Sequence, residues 1–244
     1  MSILSGSGNA FYAQNDPANN PNGGTYGLSL ENNLLYGGIS LFSTGDSNTV
    51  HKNIITGENT GVYASNVTGA SMLTVQDNNI TTTGGAIQID AGSRFKILRN
   101  NCEQNTTFTP GPVGTNSYMV TISGNNGTMS TPEIRGNHFG LFSGVPKSGV
   151  IYVNNTIGAL ISENTILNSN ASAVGIVIGT ANNTRVGPNT YGSGVVTKVV
   201  DNGTGTMGVI KSMTLQNSWS NLSQSPASFY KDILGTVHLM GGIT

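Results

Sequence analysis

Disulfide stapling is excluded at the outset, because Cys102 is the sole cysteine among 244 residues. Charge is scarce as well: Asp, Glu, Lys and Arg make up 9% of the chain, against about 25% in an ordinary globular domain. A net charge of −1 gives no long-range attraction to nucleic acid or to an anionic membrane. No apolar run reaches the ~20 residues of a membrane helix. Met1-Ser2-Ile3-Leu4 leads directly into Gly/Ser/Asn-rich sequence without a signal-peptide pattern. Helical periodicity is missing over any useful length. No Gly-rich loop opens a helix after a strand, so the glycine clusters are turns rather than phosphate cradles. His51, His138 and His238 lack metal-ligand spacing. These absences leave no cofactor, metal, nucleic acid or membrane insertion to expect.

What the chain has in quantity is glycine, at 34 residues, with abundant Asn, Thr and Ser and 36% hydrophobic residues. Frequent turns demand Gly and Asn, and a repetitive all-β solenoid supplies such turns. One pattern recurs, apolar-x-x-Asn-x-apolar. Six copies centre on Asn53, Asn78, Asn100, Asn137, Asn164 and Asn189, with a weaker first copy at Asn32. The Asn-to-Asn spacings are 21, 25, 22, 37, 27 and 25 residues. A second short strand with period-two alternation precedes each later Asn, at 39–41, 62–64, 87–89, 120–122, 151–153 and 176–178. Together these predict an all-β chain: a right-handed parallel β-helix, or solenoid, of about seven coils. A β-sandwich has no reason to keep one Asn per ~25 residues, and the leucine-rich consensus of another solenoid class is missing.

Asn suits the bend between strands because it tolerates the left-handed conformation. Asn residues stacked coil on coil can also hydrogen-bond as a ladder. The column just before each Asn reads Glu31, Lys52, Asp77, Arg99, Gly136, Glu163 and Pro188. Its first four members alternate in sign, as stacked exposed charges should. The column two after each Asn, namely Leu34, Ile55, Ile80, Cys102, Phe139, Ile166 and Tyr191, points inward. Cys102 is then a buried apolar residue rather than a nucleophile.

Composition divides the chain into four segments. Residues 1–28 are an N-terminal capping segment with Pro17, Pro21 and Gly23-Gly24 and no clean coil. Residues 29–202 form the β-helix, 203–212 a linker, and 213–244 the start of a small β module. An open solenoid end exposes edge strands that proteins normally cap, so the chain is expected to be a piece of a longer protein. Within the last segment, strands at 228–231 and 236–239 form a hairpin through Ile233-Leu234-Gly235, with Trp219 as anchor.

That segment carries Leu215-x-Asn217-x-Trp219, then Tyr230-Lys231-Asp232 and Gly235-x-Val237-x-Leu239-x-Gly241. It resembles the start of a β module found near the ends of bacteriophage tail fibres and tailspikes. Ser218 stands where a Gly often precedes the Trp. The preceding β-helix also resembles phage tailspike and appendage proteins. The resemblance implies a homotrimer in the extracellular tail of a phage virion. It further implies contact with other phage tail proteins and attachment to a bacterial surface glycan.

Coil length varies at one place. Segments 103–116, 140–149 and 167–174 lengthen consecutive coils and would stack on one edge as a bump or cleft. Phe108, Tyr118, Phe142 and Lys147, in or beside them, join aromatic faces to a charge and form the candidate sugar-binding set. Packing against the scaffold or a subunit partner is the competing role for these aromatics. Glycoside hydrolysis needs carboxyls ~5–5.5 Å apart for retention or ~6.5–9.5 Å for inversion. Asp90, directly after a strand, and Glu103, at the base of the longest insertion, are the candidate catalytic pair. Two solvated surface acids are the alternative. The expected function is a trimeric shaft that adheres to host polysaccharide, or else a hydrolase or lyase that depolymerises the same glycan.

Overall fold

A run with an aliphatic side chain at every second position buries only one face. Coiling the chain so that all such runs share one interior satisfies every coil at once. A computed structural model gives the outcome. It describes the chain apart from residues 1–2, 15–26, 43–46, 58–59, 66–71, 91, 105–117, 125–128, 142–148, 169–173, 210, 213–225, 233, 235 and 242–244. Every regular element among the described residues is a β-strand.

Each coil contributes strands to three walls. The first wall stacks Ser29–Glu31, Asn48–His51, Leu73–Gln76, Lys96–Leu98, Glu133–Arg135, Leu160–Ser162 and Arg185–Val186, all in parallel. The second stacks Ile54–Gly57, Asn79–Thr82, Asn101–Gln104, His138–Leu141, Thr165–Asn168 and Thr190–Tyr191. The third stacks Val62–Ser65, Ile87–Ile89, Val120–Ser123, Gly149–Asn154, Val174–Ile178 and Thr197–Asp201. One long strand, Leu34–Phe42, begins both the second and third walls. The chain is thus a parallel β-solenoid. Its winding amounts to about five turns, slightly fewer than the seven coils expected.

Inward columns form the core. On the first wall Leu30, Val50, Val75, Ile97, Ile134, Ile161 and Val186 stack; on the second, Leu35, Ile55, Ile80, Cys102, Phe139 and Ile166. Burying each of the larger side chains contributes about 1.5–3 kcal/mol. Cys102 is fully buried, and burial pushes its thiol pKa up.

The asparagine column is also internal: Asn53, Asn78, Asn100, Asn137 and Asn164 are at most 2% exposed. From Asn33 through Asn164, the backbone N–H and Nδ2 of each donate to Oδ1 of the Asn one rung on, at 2.9–3.2 Å. Two sequence-level assignments shift here. The ladder begins at Asn33, not Asn32, so Leu35 rather than Leu34 points inward and Glu31 lies beside His51. The tandem Asn32-Asn33 before Leu34-Leu35 fits the repeat in either register, and the ladder selects the second. The left-handed bend is also not at the ladder Asn. It falls on the residue before, with φ of 51–59° at Asn32, Lys52, Asp77, Arg99 and Glu163. The Asn is required for its carboxamide, while its predecessor absorbs the strain. Within that bend column Arg99 Nε and Nη2 donate to Asp77 at 2.8 and 3.0 Å.

The first 28 residues contain a strand that composition does not announce. Ile3–Gln14 lies parallel along Leu34–Phe42, with irregular register on both sides of Asn9, and covers the N-terminal edge of the second and third walls. At the other end Lys211–Ser212, Ser228–Lys231 and Val237–Met240 form a separate antiparallel sheet. Asp232 Oδ1 accepts the N–H groups of Leu234 and Thr236 and so closes the turn. Trp219 lies outside the described residues.

Candidate functional site

Strand alternation sends Ser40, Tyr63, Gln88, Thr121 and Tyr152 outward from the third wall in one column. Ser65, Asp90, Ser123 and Asn154 form the next column, set by the same register. Outward residues of a solenoid normally meet solvent. Here Tyr63, Ser65, Gln88, Asp90, Thr121 and Ser123 are only 2–9% exposed, so the wall carries a buried hydrogen-bonding patch around one carboxyl group.

Asp90 is its centre. Gln88 Nε2 donates to the carboxylate at 3.2 and 3.4 Å, and the Tyr63 hydroxyl donates to it as well. Among the described residues no cation pairs with Asp90. Burial therefore pushes its carboxyl pKa up, against the downward pull of the Gln88 and Tyr63 bonds. Tyr63 is pushed up to about 12, first by burial and then by the adjacent Asp90 charge. The Asp90 shift is in the direction a general acid needs, whereas Tyr63 becomes a weaker acid than a free phenol and acts as a hydrogen-bond donor to the carboxylate.

Aromatic rings flank the patch. Tyr12, Phe42 and Tyr63 are joined by ring contacts at 5.4 and 5.3 Å. Farther along, Tyr118 stacks on Tyr152 at 4.8 Å and 13°. Gly149 makes that stack possible: a Cβ there would lie 2.8 Å from Tyr118 Cε1. Both tyrosines are half-buried, with ring surface left to solvent. The accessible part of this wall is the Tyr118–Tyr152 pair, whose aromatic faces and phenolic hydroxyls suit the C–H and O–H groups of a sugar.

Of the residues singled out from sequence, Tyr118 and Asp90 lie on this wall. Glu103 does not. It sits on the second wall one coil later, between Thr81 and Gly140, and its described hydrogen bond is from Asn101 Nδ2 at 3.4 Å. No described interaction links Glu103 to Asp90. Phe108, Phe142 and Lys147 lie outside the described residues. Tyr63, Gln88 and Tyr152 are the residues that sequence reasoning passed over. Their signal was present, since each is the central residue of a predicted third-wall strand and so shares an outward column. Among the described residues no cluster of His, Cys, Asp and Glu could hold a metal ion. Comparison with protein-family models, curated proteins and solved structures finds no match.

Proposed function

We propose that the chain is a shaft segment of a bacteriophage tailspike or tail fibre, working as a homotrimer in the extracellular tail and attaching to host-cell surface polysaccharide. The observation that carries this is the Tyr118–Tyr152 stack on the hydrogen-bonding third wall of the solenoid. Tyr152 lies on a regular strand and Tyr118 two residues before one; a stacked aromatic pair so placed is preorganised, and sugar binding there costs little ordering entropy. The tail-fibre-like motifs of residues 213–244 point the same way, as does the antiparallel pairing of Ser228–Lys231 with Val237–Met240. Titration of purified capsule, teichoic acid or lipopolysaccharide oligosaccharides into the protein tests it by calorimetry. Tyr118→Ala should weaken binding at least tenfold while leaving the melting temperature within a few degrees. Equal affinities of variant and parent for every glycan bound would remove the support.

A depolymerase of the same glycan is the alternative, favoured by Asp90, a buried carboxyl whose pKa burial pushes up in the direction a general acid needs. It predicts release of oligosaccharides from the polysaccharide, abolished by Asp90→Asn. Intact polymer after prolonged incubation leaves attachment alone.

A further inference from the structure

Among the described residues the solenoid bore is uncovered at its C-terminal end. A cavity of about 570 Å³ lies there, lined by Val186, Tyr191, Val199 and Val209, with Asn189 and Lys198 as polar members. That size falls in the range of ligand pockets, ~300–1,000 Å³. Tyr191, Val199 and Val209 pack on the core yet are only partly buried. On the rim Val196 is 71% exposed. The second and third walls end here at Thr190–Tyr191 and Thr197–Asp201, and an edge strand leaves a row of backbone donors and acceptors unpaired.

The first wall is different. Met207 bridges Arg185, and Gly208 N–H donates to the Lys231 carbonyl, so the chain itself continues that wall. The open surface is thus confined to the two walls that Ile3–Gln14 covers, as one extended strand, at the opposite end. The asparagine ladder specifies the chemistry of what fits. Asn189 accepts from Asn164. Its own N–H, which on every earlier rung donates to the next carboxamide, has no acceptor among the described residues.

We propose that this mouth is a strand-acceptor site. It takes an extended, uncharged polypeptide segment of a partner protein as one further parallel rung across the second and third walls. A partner Asn carboxamide accepts from Asn189, an aliphatic side chain two residues on stacks over Tyr191, and further aliphatics fill the cavity beside Val199. The site stands independently of the glycan-binding function.

A synthetic fluorescent peptide with the sequence of residues 32–42 is the probe, because it carries the ladder Asn33, the inward Leu35 and the strand that serves both walls. Anisotropy titration with the full chain should show saturable one-to-one binding. Asn33→Ala in the peptide should weaken it at least tenfold, as should Val199→Glu in the protein. Val196→Glu, on the exposed rim, serves if Val199→Glu melts early. Ile3→Glu, at the far end, should leave the affinity unchanged. Absent binding, binding indifferent to Asn33→Ala and to both mouth variants, or displacement of the peptide by soluble polysaccharide would each overturn the proposal.

Discussion

Asn100→Ala removes four hydrogen bonds in one step. Oδ1 accepts from the backbone N–H and Nδ2 of Asn78, and Nδ2 donates to the Val75 carbonyl and to Asn137 Oδ1. At 1% exposure the site admits no solvent to replace them. The Asn78 N–H loses its acceptor outright, while Asn78 Nδ2 keeps bonds to Val50 and Gln76. Four bonds at ~0.5–1.5 kcal/mol each, with one buried donor stranded, give a loss of about 4 kcal/mol. That is a large part of the ~5–15 kcal/mol that holds a domain together. Asn33→Ala is the internal control. It sits on the first rung, is half-buried, and loses a single side-chain bond to Asn53 at 3.2 Å, worth about 1 kcal/mol or less. Urea unfolding followed by circular dichroism measures both. Asn100→Asp should cost as much at pH 7, because a carboxylate oxygen would face the Val75 carbonyl and Asn137 Oδ1, and should recover in part on acidification. Equal losses for Asn100→Ala and Asn33→Ala would refute the ladder as a stabilising column.

Asp90 makes a pH-dependent prediction. Its folded pKa is raised above 3.8, so the folded state binds the proton more tightly. Its stabilising contribution is full below pH ~3.8 and is lost as pH rises through the folded value. The stability of the parent relative to Asp90→Asn should therefore fall as pH rises above about 4; a constant or rising difference in urea midpoint contradicts this. Gly38→Ala should destabilise by about 1–3 kcal/mol or more, since its Cβ would lie 2.3 Å from the Thr60 carbonyl oxygen on the neighbouring rung. Gly57→Ala, whose Cβ meets nothing nearer than 3.4 Å, should change the melting temperature little. Cys102 should resist iodoacetamide in the native protein and react only in denaturant; ready native alkylation would place it outside the core.

The solenoid was legible because its determinants repeat. Period-two aliphatics located six of the seven third-wall strands; Thr197–Asp201 was the exception. The inward column stated from sequence reappears as cross-strand pairs, with Cys102 beside Ile80 and Phe139. The C-terminal hairpin was readable from its two short strands on either side of a three-residue turn, and the structure adds the Asp232 bonds that close it. What escaped was information that a linear pattern does not carry. Ile3–Gln14 has Gly and Ser where a strand usually places β-branched residues, and it forms only because Leu34–Phe42 offers an edge. The start of the ladder was ambiguous between adjacent asparagines. The Tyr63–Gln88–Asp90 patch was missed because outward alternation was equated with solvation, and only the folded chain shows those side chains buried. Asp90 and Glu103 looked like neighbours in sequence, but an Asn corner and a change of wall lie between them.

Pulsed electron resonance distances test the central claim, the parallel stacking of rungs, most directly. Thr49, Thr74, Lys96, Glu133, Leu160 and Arg185 form one column on the first wall. At ~4.8 Å per rung, Cα separations should be ~19 Å from Thr49 to Leu160 and ~24 Å from Thr49 to Arg185. Spin-label pairs at these positions should give narrow distributions that grow by one rung between the two. Broad distributions, or a Thr49–Arg185 distance shorter than Thr49–Leu160, would contradict the stack.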